Sequence, residues 1–240
     1  DAFYPQYEAG QMQEDDHHKW AEAYKVYLQA NEQLEGLKAR IDKIHGAHRL
    51  AFIQCVGSRD LRFNKYCSGF CCMHAIKEAI IGLEHDREAE VYIFGMDIRA
   101  VGKNFEEYRN RGANEAGIKF VRSRVAEIFE DRDHTPILVY EDTKERQVKQ
   151  LPVDLVILAT ACQPSEGVVK LAEILGIKTN DFGFIDTAFY LPLDTSRPGI
   201  FVCGCAQSPM DIPESVAQAS SAAAMAAQVL SGSEADRLAS

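Results

Sequence analysis

The chain has 240 residues, 46% of them hydrophobic and 26% charged, enough for one large domain or two small ones around a buried core. Its formal net charge of -10, with no basic run of five or more, excludes nucleic acid as an expected partner, because phosphate recognition needs clustered Lys and Arg. No apolar stretch reaches the roughly eighteen residues that span a bilayer, and the polar start Asp1-Ala-Phe-Tyr-Pro lacks a signal peptide's regions, so a cytoplasmic protein without direct membrane insertion is expected.

The first dozen residues are turn-like. From Glu14 to Ile44 a Gly-poor run places Trp20, Tyr24, Tyr27, Leu34, Leu37, Ile41 and Ile44 at helical spacing, which predicts a long amphipathic helix. Its apolar stripe is either packed on its own core or docked on a partner. From Arg49 the period changes. Leu50–Gln54 reads as a strand, Cys72–Leu83 as a helix, Glu90–Phe94 as a strand, Asn104–Glu115 as a helix and Ile118–Val121 as a strand, a βαβαβ unit of parallel strands. Val125–Phe129, Ile137–Tyr140 and Val148–Leu151, separated by polar turns, predict an antiparallel meander. A strand at Asp154–Leu158 leads into Ala159–Pro164 and a short helix ending at Leu175. Gly199–Cys203 reads as a last strand and Pro213–Leu230 as a small-residue helix.

Seven cysteines is an odd number and four fall within eighteen residues, which argues against a secreted disulfide framework and for metal or redox chemistry. The four are Cys55, Cys67, Cys71 and Cys72, lying where a mononucleotide-binding fold ordinarily puts its glycine-rich phosphate loop. Soft sulfur donors favour an iron-sulfur cluster, zinc or copper(I), and spacing alone does not name the metal. Zinc usually takes two Cys-x-x-Cys knuckles, which the vicinal Cys71-Cys72 pair fits poorly; a redox-active dithiol is the remaining alternative. The last two cysteines open a helix whose free N–H groups and positive dipole end stabilise thiolates and an anionic cluster. Arg59, Arg62 and Lys65 either temper the cluster's charge or are simply solvated. Lys77, five residues past Cys72, is either a cofactor contact or a surface lysine. His74 is a ligand by type but redundant beside four cysteines. Asp97, at the end of the second strand, is expected to cap a turn rather than to bind a ribose.

Three stretches together resemble the A-type subunit family of the heterodisulfide reductases (HdrA-like flavoproteins), including the related flavoprotein subunits of quinone-interacting oxidoreductase complexes. They are Ala51–Asp60 with Tyr66–Lys77, Glu90–Lys103, and Gly199–Ala219, within a match running from about Arg49 to Leu230. The resemblance implies an α/β, thioredoxin-reductase-like flavoprotein. An NAD-domain-like parallel sheet with its meander (48–150) would carry the cysteine loop, followed by the C-terminal part of an FAD-binding domain (151–240) and preceded by the helical segment 1–47. It implies Cys55, Cys67, Cys71 and Cys72 as ligands of a 4Fe-4S cluster. Gly204, Cys205, Ala206 and Gln207, with Ile212, Pro213, Ser215 and Val216, match the terminal FAD motif, where a helix N-terminus approaches the isoalloxazine ring.

The departures from the family pattern are equally definite. No Gly-x-Gly-x-x-Gly loop occurs, so the adenosine-diphosphate half of an FAD site is absent from this sequence, which reads as a C-terminal fragment lacking the N-terminal FAD-binding half. The family's Ala-Thr-Gly is Ala159-Thr-Ala161 here, its ferredoxin-type insertion is missing, and the Glu14–Ile44 helix lies outside the pattern. Cys162, Cys203 and Cys205 stand where small residues are common and are expected to be buried, inert thiols.

The expected function is an electron-transfer module of an oxidoreductase subunit in anaerobic redox metabolism. It would relay electrons between FAD in the intact protein and the other subunits of a heterodisulfide-reductase-like or quinone-interacting complex, with no catalytic acid or base and with any membrane association made through those subunits. The fragment alone is expected to be inactive. Two alternatives stand beside it. One is a pyridine-nucleotide-dependent thiol/disulfide oxidoreductase using Cys71 and Cys72; the other is a zinc-stabilised, non-catalytic assembly module.

Overall fold

The computed structural model describes the backbone of residues 46–238 and the side chains of residues 46–231. The helix expected over Glu14–Ile44 lies outside them. Among the described residues, seven strands and four helices follow one another in the order β1 (Arg49–Val56), α1 (Cys71–His85), β2 (Glu90–Gly95), α2 (Phe105–Asn114), β3 (Lys119–Arg122), β4 (Val125–Glu130), β5 (Pro136–Asp142), β6 (Gln147–Pro152), β7 (Leu155–Thr160), α3 (Glu166–Leu175) and α4 (Ile212–Leu238), with a 3₁₀ turn at Gly204–Ala206.

β1 is central in a parallel sheet ordered β3-β2-β1-β7, with Leu50 opposite Val91 on one side and Leu155 on the other. The run Ala51-Phe-Ile is what such a position demands, since a strand covered on both faces reads as continuously apolar rather than alternating. On one face Phe52 and Ile93 pack against Ala75, Ile76, Ala79, Ile80 and Leu83 of α1. The period of these α1 residues matches one helical stripe. α2 lies close beside that core at Gly112, where a Cβ would stand 3.1 Å from Ile118 Cδ1 and 3.4 Å from Ile76 Cγ2. On the other face Ala51, Ile53 and Phe94 meet Leu138, Tyr140 and Val153, so the meander β4-β5-β6 is the lid of the sheet.

The parallel α/β architecture expected from the sequence is present, with most element ends within a few residues of those expected; the last helix, expected to end at Leu230, runs on to Leu238. β7 lies past residue 150 yet hydrogen-bonds along β1, and Asp154 fastens the two together: its Oδ2 accepts from the backbone N–H groups of His48 (2.9 Å) and Arg49 (2.7 Å). Gly199–Cys203 is not a strand. It forms one isolated bridge, Phe201 to Asp194, because only the 193–195 segment pairs with it among the described residues. No helix of the described residues is long and apolar enough to cross a membrane.

Candidate metal and cofactor site

The site begins where β1 stops being regular. The β1–β7 register shifts between Ile53 and Val56, and within that irregularity Cys55 takes the left-handed conformation, φ 61°, which costs a residue with a Cβ about 1–2 kcal/mol and so persists only where the surroundings enforce it. The following loop is closed by its own backbone: Arg59 N–H donates to Tyr66 O (2.9 Å), Asp60 N–H to Asn64 O (3.0 Å) and Asn64 N–H to Gly57 O (3.2 Å). Gly69, φ 80°, then turns the chain into α1. No side chain caps the start of α1 and no acidic residue sits in its first turn, so its positive end is left for the sulfurs of Cys71 and Cys72.

The four sulfurs lie within one another's field. Cys71 donates a hydrogen bond to Cys72, which pushes the Cys71 thiol up; burial and the charges of Cys72, Cys55 and Cys67 push it further the same way. Cys72 is pushed down to about 6, chiefly by that hydrogen bond, helped by the Arg99 backbone N–H and by Arg59 against the opposing effect of burial. Burial raises Cys55, as do Cys72 and Cys67, while the Arg59 guanidinium that hydrogen-bonds to it pulls the other way. The Gly69 N–H donates to Cys67 Sγ at 3.4 Å. Arg59 is held in turn by both oxygens of Asp97, the second contact at 3.2 Å, so Asp97 is an ion-pair partner rather than the turn cap expected.

Whether these residues fit a cluster can be asked of the donors themselves. Among the described residues no three of His, Cys, Asp or Glu converge tightly enough to hold a single metal ion. In a cubane each iron takes one thiolate, so the sulfurs would stand around a cage rather than around one ion. A buried side chain beside the loop fits a cluster. Gln54, 6% exposed and next to Cys55, has neither Nε2 nor Oε1 hydrogen-bonded. An orphaned buried amide costs about 1–3 kcal/mol, and a sulfide or thiolate is an acceptor for the Nε2 donor of the two.

Asp60 anchors the loop. Its buried carboxylate accepts from the Arg62 guanidinium (2.9 and 3.1 Å), from the Arg62 N–H (2.9 Å) and from Arg124, contacts that hold its carboxyl well below the usual carboxylate range. A depressed folded value stabilises the folded state above the unfolded value of about 4 and loses that contribution as pH falls below it. Stability measured in urea should therefore drop more steeply between about pH 5 and about pH 3 in the wild type than in Asp60→Asn. Equal pH slopes would remove Asp60 from this role.

The residues matched to the FAD motif are only partly brought to the cysteines. A groove of about 1380 Å³ runs from Cys67 at the loop, past Lys77, Arg99 and Lys103, to Ile212 and Pro213 at the start of α4. Gly204, Cys205, Ala206 and Gln207 form and end the 3₁₀ turn behind it, braced by Gly204 N–H to Gln218 Oε1 (2.8 Å) and Gln218 Nε2 to Gln207 Oε1 (3.3 Å). Ser215 and Val216 do not line the groove: the Ser215 hydroxyl donates to Asp211 O (2.7 Å) and Val216 is exposed. Asp211 and Glu214 close the N-terminus of α4 as a capping box, Glu214 N–H to Asp211 Oδ1 at 2.8 Å and Asp211 N–H to Glu214 Oε2 at 3.3 Å.

His74, beside the loop, pairs with Glu78 at 2.8 Å. Of the three cysteines expected to be buried, none is: Cys205 is exposed and Cys162 and Cys203 are partly so. Burial and a hydrogen bond to Cys205 push the Cys162 thiol up. Sequence reasoning passed over Gln54, Arg99 and Lys103. Gln54 was the one with a signal, a polar residue closing an otherwise apolar strand.

A parallel sheet covered by helices on one face and by an antiparallel meander on the other places the chain among the α/β oxidoreductases, and it belongs to the pyridine nucleotide-disulphide oxidoreductase family, whose model matches residues 79–223. Within that family it is similar to the A-type subunits of heterodisulfide reductases. It is 41% identical over 212 residues to a protein of Archaeoglobus profundus named as like that subunit, covering 87% of this chain and 29% of that one. It is 45% identical over 190 residues to an A-type iron-sulfur subunit of the CoB–CoM heterodisulfide reductase of Methanopyrus kandleri, covering 78% of this chain and 29% of that one. The chain thus spans less than a third of the length of these curated relatives. The solved thioredoxin reductase of T. acidophilum shares the fold, with TM-score 0.51 and 20% identity over 75% of this chain and 52% of that one.

Proposed function

We propose that the chain is the electron-transfer part of a heterodisulfide-reductase-type iron-sulfur flavoprotein subunit, relaying electrons between FAD and the other subunits of its complex. The observation that carries the reading is the set of four cysteines that feel one another's charge at an uncapped helix N-terminus. The words "iron-sulfur subunit" in the Methanopyrus kandleri relative's name support the same reading.

Cys55, Cys67, Cys71 and Cys72 would hold a 4Fe-4S cluster, which supplies one-electron storage when bound. The work of the chain's own residues is electrostatic. Hydrogen bonds from the Gly69 and Arg99 N–H groups and from Arg59 to sulfur stabilise added negative charge and raise the potential, and burial of Cys55, Cys71 and Cys72 limits water. Ile212, Pro213 and Lys77 would border the isoalloxazine end of FAD, with Gly204–Gln207, Ser215 and Val216 shaping that wall from behind. The adenosine-diphosphate end has no Gly-x-Gly-x-x-Gly loop here to bind it. The proposed division keeps 48–150 as the cluster-bearing unit and 151–240 as part of a flavin domain, with β7 of the second segment completing the sheet of the first. Cytoplasmic location, anaerobic metabolism and membrane association through partner subunits belong to the same proposal.

The test is iron, zinc and acid-labile sulfide after strictly anaerobic preparation and reconstitution. About four irons and four sulfides per chain is the expected result. Stoichiometric zinc without sulfide would favour the assembly module, and the absence of both metals would revive the Cys71/Cys72 dithiol.

A further inference from the structure

We propose that the buried amide of Gln54 donates a hydrogen bond to a sulfur of the cluster and thereby sets its reduction potential. The inference rests on the reading that Cys55, Cys67, Cys71 and Cys72 hold a 4Fe-4S cluster. Gln54 follows the buried run Ala51-Phe-Ile in β1, is itself 6% exposed, and has no hydrogen-bond partner for either Nε2 or Oε1. Among the described residues the only other buried side-chain polar atom in that condition is Arg109 Nε, whose guanidinium is paired with Glu106 through another nitrogen at 3.0 Å. Buried amides are paired as a rule, and a leucine would fill the same place with no polar group to satisfy. The bare donor calls for an acceptor that the polypeptide does not supply.

The fold fixes where that donor stands. Along β1, Leu50 and Phe52 face α1 while Ala51 and Ile53 face the meander, so Gln54 belongs to the α1 face. α1 joins the parallel strands β1 and β2 and so returns antiparallel to β1 above that face. Leu50 meets the far end of the helix at Gly82, where a Cβ would stand 3.9 Å from Leu50 Cδ1. From Leu50 to Gln54 the strand advances about 13 Å, and from Gly82 back to Cys72 the helix runs about 15 Å. Gln54 therefore lies beneath the first turn of α1, which carries Cys71 and Cys72, and its backbone leads directly into Cys55; all three cysteines are buried. Its stem is packed beside Gly95 of β2, where a Cβ would stand 3.5 Å from Gln54 Cβ and 3.6 Å from Cγ. One electron added to a cluster adds one negative charge. An N–H held against its sulfur stabilises the reduced form more than the oxidised form and raises the potential, and burial keeps water from substituting for it.

The wild-type chain, Gln54→Leu and Gln54→Met are reconstituted anaerobically, assayed for iron and sulfide, and titrated with dithionite at one pH while the reduced cluster is followed by electron paramagnetic resonance. Both variants should load as the wild type does, and in both the one-electron equilibrium should shift about tenfold toward the oxidised cluster, a potential about 59 mV more negative. The metal-free chains should show the opposite trend: Gln54→Leu should unfold in urea at or above the wild-type midpoint, because the bare amide is gone. A loaded variant with the wild-type potential, or a more positive one, overturns the role of Gln54 and leaves the cluster reading standing. A metal-free Gln54→Leu chain clearly less stable than wild type would show that the amide is already satisfied by the protein, and overturns it as well. A wild-type chain that takes up neither iron nor sulfide overturns the cluster reading itself, and this inference with it.

Discussion

Cys71→Ser is expected to abolish cluster assembly and leave the sheet folded. Iron and acid-labile sulfide should fall from about four each per chain to near zero after anaerobic reconstitution, while the far-ultraviolet circular dichroism stays that of the wild type. The separation of the two effects follows from where the residue sits. Cys71 is the first residue of α1, and the packing of that helix on the sheet is carried further along, by Ala75, Ile76, Ala79, Ile80 and Leu83. A serine hydroxyl is a hard oxygen donor that does not ionise near neutrality, so it cannot replace a thiolate toward iron. The same loss is expected for Cys67→Ser. Cys203→Ser, outside the loop, should load normally. Iron and sulfide retained at wild-type levels in both loop variants would refute the ligand assignment.

The largest expected effect on stability is that of Phe94→Ala, about 3–5 kcal/mol for an aromatic truncated in a packed core. Phe94 is 1% exposed on β2 and faces the meander, where it meets Tyr140 edge-on at 4.9 Å between centroids and shares a cluster with Ala51, Ile53, Leu138 and Val153. The ring therefore joins the parallel sheet to its antiparallel lid, and its loss opens the interface from both sides. Urea unfolding monitored by circular dichroism should show the midpoint falling sharply. Val148→Ala, on the exposed side of β6, should stay within about 0.5 kcal/mol of wild type. A Phe94→Ala cost under about 1 kcal/mol would mean that the meander is not packed on the sheet as described.

Much of this architecture was legible because each element carries its own local signal. Leu50-Ala-Phe-Ile announces a strand covered on both faces, and the α1 stripe announces the side on which its helix lies. The cysteine loop stands out in the sequence because cysteines are rare residues and four of its seven are crowded there. What escaped depends on partners distant in the chain. Gly199–Cys203 has the composition of a strand, but composition does not supply a neighbour, and the ladder does not form. Cys205 looked buried because its flanking residues are small, whereas exposure is decided by what packs over a turn. Asp97 looked like a turn residue until Arg59, itself at φ 54°, was brought across to it. Ser215 and Val216 follow the FAD motif in sequence, yet helical geometry turns them away from the wall that Ile212 and Pro213 form.

The clasp between Asp154 and the start of β1 sets a clock on the molecule. Arg49 is 41 residues from its ion-pair partner on β2, Glu90, but 105 residues from Asp154. At ribosomal rates of about 5–20 residues per second, β1 waits roughly 5–20 seconds after its own synthesis before β7 can close its open edge. All four loop cysteines, and the helix that two of them open, emerge early in that interval. Cys162 arrives with β7, at its end. The nascent chain thus presents its four loop cysteines on a half-built sheet, and the strand that seals that sheet is the last of its four to be made.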